Sequence, residues 1–311
     1  MEFFSHQTSY PFMATRKVWY GLSALLMIVS LGSFFTRGVN LAIDFTGGVS
    51  ANASFTQTAD VDKVRTQLTA AGFRDPSVQS FGTSRDVTIR LPPDPKETSE
   101  TIRTRLEAAL RGIDPAAQVV QLDVLGPQVG NELKWSAMEA LGFTLLGIFI
   151  YLALRFHTWR LSAGAIFAVL HDPILVVGFF SITQMSFDLA VVAAILAVIG
   201  YSLNDTVVVF DRIRERFEGN RRSPPDQVLD QSINQTLSRT IMTKVVTSIV
   251  VVALLFLGGA VLKGFSAALL IGIIAGTYSS IYISSAIALD FGLTAEHVFP
   301  TVKKAAIDHL P

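Results

Sequence analysis

Cysteine is absent from this chain of 311 residues, which excludes a disulfide framework and any thiolate metal centre. Histidine is scarce: five residues, none at zinc-ligand spacing, so no metal site is expected. Charge is thin as well, 16% Asp, Glu, Lys and Arg with a net of zero, so its distribution is more informative than its sum. The chain shows no internal repeat and little low-complexity sequence. What it has in quantity is apolar surface: half the residues are hydrophobic and mean hydropathy is +0.46, outside the range of a soluble globular domain. The composition is that of a membrane protein.

Crossing a hydrocarbon core of about 30 Å takes roughly 20 helical residues. Runs of that kind lie at residues 18–36, 135–154, 161–182, 189–210, 241–257 and 265–289, predicting six transmembrane helices. The first follows Arg16 and Lys17 but has no small-x-small cleavage site after it, so it reads as a retained anchor. Lys and Arg in short loops set the orientation. One side collects Arg16, Lys17, Arg155, Arg160, seven more between Arg212 and Lys244, and then Lys303 and Lys304, against Lys263 alone on the other. Both termini are therefore expected in the cytoplasm, with tails at 1–17 and 291–311.

Residues 37–134 have the charge and turn content of a soluble domain. Alternation in "VSANASF" predicts a strand, and "DVDKVRTQLTAAGF" puts Val61, Val64, Leu68 and Ala71 on one helical face before Gly72 stops it. Two further strands around a tight turn, a second helix ending at Gly112 and a last strand in "AQVVQLDVL" complete a βαββαβ order. That order predicts a ferredoxin-like α+β sheet with helices on one face. Nothing in it looks catalytic.

Two polar features interrupt the apolar runs. Asn204 and Asp205 stand inside the fourth, Asp205 about 7 to 8 Å from its end. Burying an ionisable group there costs about 2.5 to 3.5 kcal/mol on insertion scales. Asp205 is thus either an interfacial carboxylate paired with Arg212 or hydrated, or a titrating site on an ion path. His171 and Asp172 fall mid-way along the third run, followed by Pro173, which should bend or break the helix. They read equally as an N-cap before a Pro-started half-helix or as relay donors facing Asp205. Gly272, Gly276, Ser280, Ser284 and Ala288 recur every fourth residue in the last run, a device for close helix packing within the bundle. The charged stretch at 211–240 alternates Arg with Asp211, Glu215 and Glu218, which predicts a solvated amphipathic cytoplasmic helix along the membrane surface rather than a nucleic-acid site.

"LAIDFTGG" (41–48), "VLGPQVGNEL" (124–133) and "VIGYSLNDTVVVFDRIRE" (198–215) resemble the SecF family, the smaller membrane subunits of the bacterial SecDF protein-export complex, within the resistance-nodulation-division superfamily. The likeness runs from about residue 16 to 297. It implies six spans in the inner membrane, a periplasmic domain between the first two, and no enzymatic activity. It places Asp44, Gly47 and Gly48 in the family motif after the first helix, and "HDP" on the family's His-Asp pair. "QTLSRTIMTKVVTS" (235–248) matches the stretch before the fifth span, which assigns Arg239, thirty-four residues after Asp205, to proton coupling with that carboxylate. The implied partners are SecD, the SecYEG translocon and exported polypeptide. The implied energy source is a proton or sodium gradient, with no cofactor. The expected function is proton-motive assistance to late steps of export; the alternative is a half-transporter moving an ion or small solute, since the superfamily's twelve-span members have two similar halves.

Overall fold

The computed structural model describes residues 8–94, 97–156 and 158–299. After one 3-10 turn at Met13–Thr15, helix α1 (Arg16–Arg37) leads through strand β1 (Asn40–Leu41) and the short helix α2 (Ile43–Thr46) into an α+β domain. The domain consists of β2 (Gly48–Ser54), α3 (Val61–Ala70), β3 (Ser77–Phe81), β4 (Thr83–Leu91), α4 (Ser99–Arg111) and β5 (Gln118–Leu125). The remaining elements are α5 (Pro127–Arg155), α6 (Trp159–Thr183), β6 (Ser186–Phe187), α7 (Leu189–Gly219), α8 (Pro225–Leu257), α9 (Gly259–Tyr278), a π-helical turn at Ser279–Ile283, α10 (Ser284–Asp290) and α11 (Ala295–Val298). The positions from 300 onward, including Lys303 and Lys304, lie outside the described residues.

The sheet order is β3-β4-β2-β5 with every pair antiparallel, the expected ferredoxin-like arrangement. Alternation decides which face is dry. Val49, Ala51, Ala53, Val87, Ile89 and Leu91 point to one side and are buried beneath Val64 and Leu68 of α3 and Ile102, Leu106 and Leu110 of α4. The helices start where their side chains permit. Asp60 accepts from the Asp62 and Lys63 N–H groups at the head of α3, and Thr98 from the Thr101 N–H at the head of α4. The opposite face, with Ser50, Asn52, Thr88 and Gln121, carries polar residues.

Among the described residues, six helices are long and apolar enough to cross a membrane. The third, fourth and sixth (α6, α7 and α9 with α10) form the buried centre, while α1, α5 and α8 turn most of their apolar surface outward. The small residues of the last span face inward. A Cβ at Gly276 would stand 2.9 Å from Ser202 Oγ, and one at Gly272 would collide with the side chain of Val198. Gly164 of α6 permits a similar approach to the Ser284 carbonyl. The four-residue stripe is therefore a packing surface within the bundle.

Three sequence expectations are corrected. The second membrane helix begins at Pro127 rather than 135, because proline at the first helical position is pre-set for the helix and lacks only an N–H that would be unpaired there. Helix α6 continues through Pro173 unbroken; a single proline frees one carbonyl and leaves the rest of the ladder intact. The separate surface helix expected at 211–240 is replaced by direct extensions of α7 and α8, joined at 220–224. With 31 residues, α7 runs about 46 Å, well beyond a hydrocarbon core. Its projecting turns keep Ile213 and Phe217 buried against Val228, Leu229 and Ile233 of α8. Arg212 and Arg216 both donate to Gln235 Oε1, at 2.7 and 3.2 Å. The alternating charges thus line a helical hairpin.

Leu106→Ala, which empties a fully buried site under the sheet, should lower the stability of the α+β domain by about 2–5 kcal/mol. Val120→Ala, at an exposed position on β5, should change it by less than about 0.5 kcal/mol. Thermal or denaturant unfolding of the two variants checks the difference.

Candidate functional site

Helix α7 carries its polar residues on one face. Ser202, Asp205 and Thr206 are buried, whereas Asn204 between them is exposed on the outer side of the bundle and joins no buried cluster. Opposite Asp205 stands Lys244 of α8, its Nζ 2.7 Å from Asp205 Oδ2, with both side chains at most a tenth exposed. The ammonium also sits 4.3 Å from the centroid of the Tyr201 ring, one helical turn before Asp205. Tyr201 is fixed in turn by its hydroxyl, which donates to the Thr243 carbonyl at 3.0 Å. Lys244 is therefore held between a carboxylate and an aromatic face. Its distance to Asp205 is that of an ion pair, but the bond is poorly aligned, and among the described residues neither Oδ2 nor Nζ has another hydrogen-bond partner. The contact is almost purely electrostatic, and in low dielectric such a pair is held chiefly by the cost of separating it.

Arg239 is placed elsewhere. It is exposed on α8, five residues before Lys244, and at 3.6 residues per turn that is about 140° around the helix. The two cations cannot face one carboxylate together. The inward stripe of α8 is Ser232, Thr240 and Lys244, all buried, and Arg239 lies off it. Sequence reasoning missed Lys244 because it was counted with the basic flank of the fifth span. The available signal was its place inside the apolar run, at four-residue spacing from Thr240.

A second buried cluster lies on α6. Asp172 is wholly inaccessible, and its Oδ2 accepts from Ser202 Oγ at 2.5 Å and Ser279 Oγ at 3.0 Å. Its Oδ1 is 3.0 Å from His171 Nδ1, and His171 Nε2 is 2.6 Å from the Tyr278 hydroxyl. Asp172 does not touch Asp205; Ser202, three residues earlier on α7, joins it to the helix that carries both. Ser279 reaches Asp172 from the first residue of the π-helical turn, a feature that often accompanies functional sites.

The residues after the first span build the junction between domain and bundle. Strand β1 pairs in parallel with β6, Asn40 opposite Ser186 and Leu41 opposite Phe187. Asp44 Oδ2 accepts from the Leu189 N–H and Asp188 Oδ1 from the Val191 N–H, each at 2.9 Å. Two carboxylates thus satisfy orphan donors at the positive end of α7. Arg90 of β4 reaches the same place, donating to Asn40 Oδ1 at 3.0 Å and to Ser186 Oγ. Burial lowers the Arg90 pKa, opposed by Asp188 and Asp44 nearby. Burial pushes the Asp188 carboxyl up, opposed by its backbone donors. A cleft of about 720 Å³ opens beside Arg90, between the polar sheet face (Ser50, Asn52, Thr88) and a rim of Ser186, Asp188 and Lys263.

Gly47 and Gly48 make this junction possible. Both have positive φ, +68° and +119°. A Cβ on Gly47 would fall 2.7 Å from Pro127 Cα, and one on Gly48 2.5 Å from the Leu91 carbonyl oxygen. On the facing helix, a Cβ on Gly130 would fall 2.7 Å from Gly47 N. The strap that joins α1 to β2 (β1, α2 and the glycine pair) and the head of α5 cross backbone to backbone.

The family description "Protein export membrane protein SecD/SecF, C-terminal" matches residues 105–294, and "SecD/SecF GG Motif" matches residues 32–59, which include Gly47 and Gly48. The chain is 44% identical over 300 residues to a protein translocase subunit SecF of Pseudomonas aeruginosa, covering 96% of this chain and 97% of that one. It is 46% identical over 300 residues to that of Haemophilus influenzae, covering 96% and 91%. Among solved structures, SecDF of Thermus thermophilus, described as a translocon-associated membrane protein, superposes with a TM-score of 0.84 at 36% identity over 91% of this chain. SecDF in a super-membrane-facing form superposes at 0.69, also at 36% identity, over 93%. In both cases this chain spans 39% of the other's length.

Gly47→Ala should lower thermal stability by about 2 kcal/mol or more, since strain and collision add. Gly82→Ala shares the positive φ, +71°, but has open space around it, and should lose only about 1 kcal/mol. Melting curves of the two variants in detergent measure the gap.

Proposed function

The chain belongs to the SecF family of protein translocase subunits, a six-span membrane component of SecDF, and from that premise we propose that its Asp205–Lys244 pair couples a proton gradient to polypeptide export. The observation that carries this is a carboxylate and an ammonium, 2.7 Å apart and buried between two membrane helices, with no other hydrogen-bond partner among the described residues for the two atoms in contact. Protonating Asp205 removes the negative charge. Lys244 is then an unpaired cation in a dry bundle, which costs several kcal/mol, and α8 must move relative to α7 to rehydrate it. Releasing the proton restores the pair. The ammonium already holds the position that a sodium ion would take at Asp205, which favours the proton as the exchanged charge.

Movement of α7 has a direct outlet. Its first residue lies sixteen residues from Asp205, about 24 Å along the axis. There Asp44 bonds its first N–H, and Arg90 of β4 bonds Asn40 of β1 and Ser186 of β6, the short strand just before it. In this reading the α+β domain is periplasmic and moves with α7, aiding the release of polypeptide emerging from the SecYEG channel. SecD supplies the second half of the membrane unit. Arg239 and Asn204 face outward from this chain, where a partner subunit would meet them. The resemblance gives Arg239 a part in coupling, and from that face it acts without touching Asp205.

Asp205→Asn in the assembled complex should abolish the proton-driven component of export into vesicles while leaving co-purification with SecD intact, and Lys244→Gln should do the same. Arg239→Lys, which keeps the charge but loses the planar fork, should give a smaller defect. Wild-type proton-driven export by Asp205→Asn would make the pair structural.

Orientation is open to a clean test, because the chain has no cysteine of its own. A cysteine at Ser84, exposed on β4, should react with an impermeant thiol reagent added outside intact cells, and one at Asn220, between α7 and α8, should not. The opposite pattern would reverse the topology.

A further inference from the structure

We propose that the bundle holds a second exchangeable proton, carried by His171, with Asp172 as its permanent carboxylate and the Tyr278 hydroxyl as the group that reverses to admit it. This deepens the coupling reading and rests on it. Four hydrogen bonds fix the assignment. Ser202 and Ser279 can only be donors to Asp172 Oδ2 if that oxygen keeps its lone pairs, and both approach it, at 2.5 and 3.0 Å. Asp172 Oδ1 faces a ring nitrogen at 3.0 Å. A carboxylate accepting all three satisfies every group in the set. The nitrogen facing it, Nδ1, then carries a hydrogen, and the site has room for a proton only at Nε2, where Tyr278 stands at 2.6 Å.

Two states follow. In the first, the imidazole is neutral, Nε2 accepts from the Tyr278 O–H, and the cluster carries one negative charge. In the second, a proton sits on Nε2, Nε2–H donates to the Tyr278 oxygen, and the hydroxyl hydrogen turns to another acceptor. Ser23 of α1, buried in the same part of the bundle, is the acceptor this proposal assigns to it. The proton has moved onto nitrogen with no bond made or broken elsewhere.

In the second state the imidazolium and the Asp172 carboxylate cancel, and the cluster carries no net charge. The groups packed around the imidazole are Asp172 on its own helix, Tyr278 from α9 and, beyond Asp172, the Ser202 and Ser279 hydroxyls; none of these brings a second cation. Trp19 of α1 stacks on Tyr278 with centroids 6.1 Å apart and on Tyr282 at 4.2 Å, so α1 roofs the site. Loading and release therefore require α1, α6 and α9 to part. The two proton sites share α7 through Ser202 and Asp205, and protonation at one bears on the geometry of the other.

His171→Gln retains an amide donor and acceptor but cannot take a proton. In the complete export complex in proteoliposomes, it should co-purify with SecD, lose the proton-driven component of export and lose the dependence of that component on pH. Tyr278→Phe removes the acceptor of the Nε2–H bond, which matters more to the imidazolium than to the neutral ring, so the midpoint of the pH profile should fall by about one unit. Wild-type export with a wild-type pH profile in His171→Gln would overturn the proposal and leave His171 as a packed core residue. If that variant fails to assemble, an unchanged midpoint in Tyr278→Phe overturns it instead. Asp205→Asn run in parallel separates the two readings: defective Asp205→Asn beside normal His171→Gln rejects the histidine alone, and the reverse rejects the Asp205 pair alone.

Discussion

A charge buried between membrane helices must have its countercharge within a few ångströms, and most of this bundle's architecture answers that demand at Asp205. One carboxylate on α7 calls for a cation on a neighbouring helix, and α8 supplies Lys244 from within its apolar run. The cation in turn needs a surface on which to rest, and Tyr201 supplies its ring face. The close approach of α7 to the last span relies on glycine at 272 and 276. The same economy explains the second cluster, where hydroxyls on α7 and the π-helical turn supply the donors that water would otherwise give to Asp172.

The membrane plan was legible because apolar runs of about 20 residues have few other uses, and the six runs correspond to the six long helices. The α+β order was legible for a related reason: periods of 2 and 3.6 identify strands and helices wherever one face is buried. Charge misled at two places. In "DRIRERF" the alternation looked like a solvated surface helix, yet Ile213 and Phe217 continue the buried stripe of α7, so the apolar residues rather than the arginines decided the path. Lys244 was read as part of a basic flank when it is a buried partner. The site was therefore half visible, since Asp205 announces itself by its cost but its countercharge depends on how two helices are rotated.

The junction with the α+β domain was recognisable only as a motif. Nothing in "DFTGG" reveals that Asp44 caps a helix 145 residues further on, or that Gly47 must pass the head of α5 without a side chain. The two-residue strands β1 and β6 are too short to carry any period. These contacts are set by tertiary placement, and they convert a loop into a rigid mount in which strap, fourth span and sheet meet around Arg90.

The π-helical turn at Ser279–Ile283 bears on the small-residue stripe of the last span. In an α-helix, positions four apart advance 400°, so a row of them slides about 40° around the axis at every step. From Gly272 to Ala288 that slide would carry the row nearly half-way round the helix and present its far end to lipid. A π-turn, hydrogen-bonded i to i+5, winds less per residue and takes part of the slide back. Gly272 and Gly276 turn to α7, whereas Ser284 lies against Gly164 of α6, and residues 279 to 286 are buried on every side. One wider turn thus belongs to a row of small residues that serves two neighbouring helices in succession, α7 first and α6 after it.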